Sequence, residues 1–289
     1  MTNPSCKIYV SLIIRGRIFF PDEITKEIKV IPTKTYIIGD KIPDLVISCG
    51  RKSVVPSILL KKKNPKIFTI HIQDPKVSLK NFDIIIAPEH DNLKGDNVYS
   101  SKGAIHYITE TEIEKAKPYL IKKINSQKVV SLILGGPNKY YSFNETQLIQ
   151  IFNKIKSNFV SEGYKVIVIP SMRTPKASIE LAKKEMGSCG HVVNSVDKQA
   201  YLSAYALANY IVVTCDSTSM ISEAATSGKP IFIAHMNAKR NNYRFKRFFD
   251  LFKKMGITRD LGEKIETWSY NKHNEAERIA TLINNKIKN

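Results

Sequence analysis

Cysteine, tryptophan, arginine and acidic residues are all scarce in this chain. Four cysteines, at 6, 49, 189 and 215, stand among 289 residues, and no two form a C-x-x-C pair. That excludes a disulfide framework and a cysteine zinc site and fits buried thiols in a reducing compartment. No apolar run approaches the roughly 18 residues of a membrane-spanning helix; the longest, such as 129–134 and 166–170, have strand length. Met1 to Val10 lacks the apolar stretch and cleavage site of a secretory signal, so a cytoplasmic location is expected. Thirteen Gly and thirteen Pro are too few for a low-complexity chain. The six histidines show no H-x-x-x-H or H-E-x-x-H spacing, so neither a metal nor another cofactor is expected.

What the chain has in excess is lysine. The 45 basic residues against 26 acidic ones give a net charge of +19. Such a balance attracts phosphates, nucleic acid or anionic lipid. Yet 36 of the basic residues are Lys and nine are Arg, and the tight run is Lys61-Lys62-Lys63. Base readout leans on Arg, so no specific nucleic acid is expected. The alternatives are a solvated surface and weak contact with an anionic membrane, which would place the protein peripherally on its cytoplasmic face.

Short β-branched runs alternate with helical stretches. The expected strands are 7–14, 45–48, 67–72 and 83–87, then 129–134, 165–169, 209–214 and 230–234. They are continuous rather than alternating, as in strands covered on both faces. Leu148, Ile149, Phe152, Ile155 and Phe159 are spaced for one face of a helix over 144–161, with Asn144 as cap and Gly163 as terminator. Helices are also expected over 175–186, 197–207, 219–227 and 275–286. The fold class is therefore α/β with parallel, doubly wound sheets. A polar helix from Glu110 to Ile124, with Pro118 inside, interrupts the rhythm. It sets a domain boundary near 125: Rossmann-like domains over 1–125 and 126–270, facing each other across a cleft, and a terminal helix in 271–289.

Three turns in the second half carry candidate chemistry. Gly135-Gly136-Pro137-Asn138 follows a strand, where ligands of open parallel sheets bind. It lacks the third glycine of a dinucleotide fingerprint and the Lys of a P-loop. Ser171, Arg173 and Thr174 place donors and a fixed charge at a helix start, with Thr174 as cap and Pro175 in the first turn. Asp216-Ser217-Thr218-Ser219-Met220 forms a hydroxyl-rich turn into a helix that carries Glu223 about one turn in. Its free N–H groups suit a diphosphate and Glu223 suits ribose hydroxyls. For each the plain alternative is an ordinary strand-to-helix turn.

Three first-half clusters also follow strands: Gly50-Arg51-Lys52-Ser53, Gln73-Asp74-Pro75 and Pro88-Glu89-His90-Asp91. His90 and Asp91 could serve as acid–base groups or as turn residues.

Together with Phe82-Asp83, Asn97-Val98, Ser222-Glu223-Ala224, Arg247-Phe248-Phe249-Asp250, Gly256-Ile257-Thr258 and Trp268, these motifs resemble the mitochondrial-fission ELM (elongated mitochondria) family of plants and bacteria. The resemblance spans about 44–286. Residues 11–44, with Arg15-Gly16-Arg17 and Phe19-Phe20-Pro21, depart from the Asp-Gly-rich loop usual in that family. The family is similar to GT-B glycosyltransferases, which implies an acceptor side in 1–125 and a nucleotide-sugar side in 126–270. It implies Gly135 to Asn138, Ser171, Arg173, Thr174, Asp216 to Met220 and Glu223 as donor-binding residues. Gly50 to Ser53, Gln73 and Asp74 would line the acceptor side. A metal-independent glycosyl transfer, with His90 or Asp91 as base, is one implied function. A noncatalytic membrane-associated adaptor is the other.

Overall fold

The computed structural model describes residues 8–12, 43–262 and 264–288. The expected strand at 7–14 is described over Ile8–Leu12, whereas residues 13–42 of the divergent segment, and Cys6, lie outside the described residues. The chain divides into two compact units, Met1–Lys102 and Gly103–Asn289.

The first unit has the strands β1 (Ile8–Leu12), β2 (Leu45–Cys49), β3 (Phe68–Ile72), β4 (Ile84–Pro88) and β5 (Val98–Ser101). They pair in parallel in the order β1-β2-β3-β4-β5. Helix α1 (Arg51–Lys63) follows β2 directly. Its buried Val54 packs with Phe82 and Ile85, one face of the sheet's core. The three motif clusters of this half follow β2, β3 and β4, as the strand pattern requires.

The second unit opens with α2 (Glu110–Ala116) and α3 (Pro118–Ile124). The expected single helix is two, because Pro118 has no N–H to continue α2 and instead occupies the first turn of α3. A complete capping box between Thr109 and Glu112 starts α2. Both helices pack against α6 (Lys198–Leu207). For example, the Leu120 N–H donates to Ser203 Oγ at 3.1 Å. This packing places α2 and α3 in the second unit, so the division between units falls at Lys102 rather than near 125.

The other strands are β6 (Val129–Leu134), β7 (Lys165–Pro170), β8 (Gly190–Val192), β9 (Tyr210–Thr214), β10 (Ile231–Ala234) and β11 (Thr258–Asp260). They form a parallel sheet in the order β11-β10-β9-β6-β7-β8. Between them lie α4 (Glu145–Ile155), α5 (Lys176–Met186), α7 (Thr218–Ala225) and α8 (Tyr243–Lys254), and α9 (Glu275–Lys288) ends the chain. Every residue of β6 and β9 is buried, which explains their unbroken apolar sequences.

Leu148, Phe152 and Ile155 bury one face of α4, and Asn144 caps it through Gln147 N–H at 2.9 Å. Each such buried apolar side chain contributes about 1.5–3 kcal/mol. The helix does not run evenly to 161: it widens into a π-helical turn over Lys156–Val160, which keeps Phe159 fully buried. Gly163 then turns the chain at φ 83°. Strand order reverses between β6 and β9, making the carboxyl ends of these neighbours the topological switch point of the sheet.

Candidate functional site

At the switch point the turns after β6, β7 and β9 are tied into one network. The buried Asp216 carboxylate is its centre. Its Oδ1 accepts from Thr214 Oγ1 at 2.7 Å and its Oδ2 from the Gly136 N–H at 3.0 Å. Arg173 Nη2 donates to the same Oδ2 at 2.7 Å, while Arg173 Nη1 donates to the Gly136 carbonyl at 2.7 Å. Asn138 Nδ2 donates to the Asp216 carbonyl at 3.0 Å, and Asn138 Oδ1 accepts the N–H groups of Tyr140 and Tyr141. The Gly135 N–H completes the link to Thr214 Oγ1 at 2.8 Å.

This closeness explains the two glycines. A Cβ on Gly135 would stand 2.1 Å from either oxygen of Asp216, and one on Gly136 would stand 2.0 Å from the Arg173 carbonyl. Pro137 beside them is exposed.

Thr174 is not the cap expected of it. Its hydroxyl donates toward the carbonyls of Leu134, at 3.0 Å, and Gly135, at 2.6 Å, and it accepts the Ser171 N–H at 2.8 Å. Pro175 holds the cap position of α5 with no side-chain bond, because Thr174 is engaged across to β6. Ser171 Oγ lies 3.1 Å from Thr174 Oγ1.

After β9 the chain enters α7, capped by Ser217, whose side chain accepts from the Met220 N–H. Ser217 and Thr218 are half-buried, Ser219 is exposed and Met220 is buried. Ser222 faces inward: it donates to the Thr218 carbonyl at 2.8 Å and accepts the Ala104 N–H at 3.0 Å. The neighbouring His106 ring meets the Ser222 carbonyl at 3.3 Å. Segment 104–106 is thereby strapped along α7.

Glu223 is half-buried against α6. Tyr201 Oη donates to Glu223 Oε2 at 2.6 Å, whereas Oε1 has no hydrogen-bond partner among the described residues. Burial raises the Glu223 carboxyl to about 7, and the Tyr201 bond opposes that rise. Tyr201 stacks edge-on with Tyr205 at 4.7 Å, and Tyr205 Oη reaches the Met220 carbonyl at 3.4 Å. The tyrosine pair behind Glu223 carries no motif of its own. Its signal in the sequence is the four-residue spacing that puts both rings on one face of α6.

In the first unit, Arg51 and Lys52 are exposed at the start of α1, where Gly50 turns at φ 75°. Ser53 is buried, its hydroxyl donating to the Cys49 carbonyl at 2.9 Å. Gln73 is exposed and, although not glycine, sits at φ 85°. Asp74 pairs with Lys76. His90 is buried after β4, with Asp91 Oδ1 3.8 Å from its Nε2. Cys49 and Cys215 are buried thiols, pushed up by burial to about 11 and about 12. Cys189 is half-buried. No described helix is long and apolar enough to cross a membrane.

Known proteins extend this picture. The UDP-GlcNAc 2-epimerase of Methanocaldococcus jannaschii shares the fold, with a TM-score of 0.50 at 13% identity over 84% of this chain and 77% of that one. In sequence the chain is 25% identical to the Mitochondrial fission protein ELM1 of Arabidopsis thaliana, over 85% of its own length and 64% of that protein's. It is 30% identical to the uncharacterized protein RP120 of Rickettsia prowazekii (strain Madrid E), over 84% of this chain and 80% of that one. The family described as Mitochondrial fission ELM1 matches residues 13–287, nearly the whole sequence, and the chain belongs to it.

Proposed function

We propose that the second unit binds a nucleotide or nucleotide-sugar at the carboxyl ends of β6, β7 and β9. The observation that carries this reading is Glu223: a half-buried carboxylate on the helix after β9, held by Tyr201 through one oxygen and open at the other. A carboxylate so placed accepts ribose hydroxyls, while Ser217, Thr218, Ser219 and the first N–H groups of α7 serve the diphosphate. The position at the switch point supports it, since open α/β sheets bind ligands there. The shared fold of an enzyme that acts on UDP-GlcNAc supports it further.

We infer different work for the residues around Asp216. Gly135, Gly136, Asn138, Arg173 and Thr174 shape the floor, because their polar groups already serve one another. Binding alone is proposed, with no transfer step and no role for His90 or Asp91. The test is thermal unfolding of the full chain with a panel of nucleotides and nucleotide-sugars. Ligand near 100 times its dissociation constant is expected to stabilise by about 2.7 kcal/mol.

One observation favours a second reading, a noncatalytic adaptor of the kind the family name suggests. Arg173, the arginine on the turn after β7, is neutralised by Asp216. No stabilisation by any nucleotide at millimolar concentration would select the adaptor.

A further inference from the structure

Beside the proposed nucleotide site, the loop after β6 meets the loop after β10 through an antiparallel bridge between Tyr141 and Ala238. The contact gathers two exposed cations, Lys139 and Arg240, around one ring, and the exposed Lys239 precedes Arg240 in the chain. Lys139 Nζ lies 4.9 Å from the centroid of Tyr140 and the Arg240 guanidinium carbon 5.6 Å from it. The backbone N–H of Lys239 donates to the Tyr140 carbonyl at 2.7 Å, which ties the two loops together. None of the three cations is ion-paired with a carboxylate among the described residues.

The platform is rigid from beneath. The Tyr140 N–H donates to Asn138 Oδ1 at 2.7 Å, and Phe245 packs edge-on against both Tyr140 and Tyr141 at 5.2 Å. Tyr141 is fully buried and its hydroxyl accepts from Asn242 Nδ2 at 2.9 Å. Like charges held near one ring repel, and a shared anion removes that repulsion. Loops ordered beforehand lose little entropy when the anion arrives. Arg and Lys together suit a phosphoryl group, the Arg by its fork and the Lys as a point charge.

We propose that Lys139, Lys239 and Arg240 form a phosphate-binding platform on Tyr140 that takes a phosphoryl group other than the nucleotide's own. It rests on the nucleotide reading for its place beside that site, through the Asn138–Asp216 hydrogen bond. The group arrives on a small phosphate ester or on a phospholipid headgroup.

The experiment is calorimetric titration of the full chain with inorganic pyrophosphate, with and without saturating UDP, for wild type and Lys139→Ala/Arg240→Ala. Both side chains are exposed, so the variant is expected to melt as wild type does. Pyrophosphate is expected to bind under both conditions, and the variant to lose about tenfold in affinity when UDP fills the nucleotide's own phosphate site, as charge-assisted contacts imply. UDP affinity is expected to stay unchanged in the variant. Unchanged pyrophosphate affinity in the UDP-saturated variant overturns the platform. So does UDP blocking pyrophosphate, which would make it the nucleotide's own phosphate site. If UDP gives no heat while the variant still loses pyrophosphate, the nucleotide reading fails and the platform stands. Glycerol 3-phosphate and monomeric dihexanoyl phosphatidylglycerol separate the sources. Equal affinity identifies a free ester, tighter lipid binding identifies a headgroup, and no loss of either in the variant overturns the proposal.

Discussion

Arg173 and Asp216 meet at 2.7 Å across the ends of β7 and β9, and Asp216 is buried while Arg173 is only partly so. The pair fixes three turns at once, because Arg173 also holds the Gly136 carbonyl and Asp216 also holds the Gly136 N–H. Removing one partner leaves the other uncompensated. Arg173→Ala is expected to destabilise by about 3–5 kcal/mol, most of it from the stranded carboxylate. Urea unfolding of Arg173→Ala, Asp216→Asn and the double variant checks this. The double variant is expected to be less destabilised than the sum of the single ones.

Gly135→Ala is expected to destabilise by at least about 1–3 kcal/mol through overpacking. The new methyl would have to displace the Asp216 carboxylate, 2.1 Å from the position of its Cβ. Gly187→Ala is the control, since a Cβ there meets nothing within 4 Å. Thermal melts of the two variants are expected to differ clearly.

Ser222 joins the strap at Ala104 to α7. Ser222→Ala leaves the Ala104 N–H without that acceptor and is expected to cost about 1–3 kcal/mol. Amide hydrogen exchange checks the origin of the loss. Faster exchange is expected at Ala104, with β6 and β9 retaining their protection.

These features differ in how much of them the sequence exposes. The parallel sheets are legible because continuous β-branched runs such as Val129–Leu134 mean strands buried on both sides. Cap and stop residues such as Asn144 and Gly163 are legible for the same local reason. Short edge strands such as Gly190–Val192 and Thr258–Asp260 escape it, being too brief to show a period and held by pairing to β7 and β10. The split of α2 from α3 rests on Pro118, but their membership of the second unit comes from contact with α6, far along the chain. In the site, the turns are visible as Gly-Gly, Ser-x-Arg-Thr and hydroxyl-rich segments. The division of labour among them is not. That Arg173 serves Asp216, that Thr174 reaches β6 instead of capping, and that Tyr201 holds Glu223 are all long-range contacts.

Glu223 makes stability depend on pH. Its carboxyl titrates at about 7 in the folded protein, raised by burial against the Tyr201 bond, and in the ordinary carboxylate range when unfolded. Between those values the folded state keeps a proton that the unfolded chain releases. Stability contributed by Glu223 therefore falls as pH rises through that window, by about 3 kcal/mol in all, and is level above it. Glu223→Gln keeps an acceptor for Tyr201 and is expected to remove this slope in urea titrations between pH 5 and about 8. An unchanged slope in the variant would assign it to other groups.

If Glu223 holds a nucleotide's ribose, calorimetric titration of UDP into wild type and Glu223→Gln reads that role directly at about pH 8, where the wild-type carboxylate is ionised. Loss of charge-assisted hydrogen bonds, each worth about 1.5–3 kcal/mol, is expected to weaken UDP binding by about tenfold or more. At that pH the apo variant is expected to fold at least as stably as wild type, because Gln carries no charge to bury. Wild-type affinity in the variant, or no binding of UDP to either protein, contradicts that role.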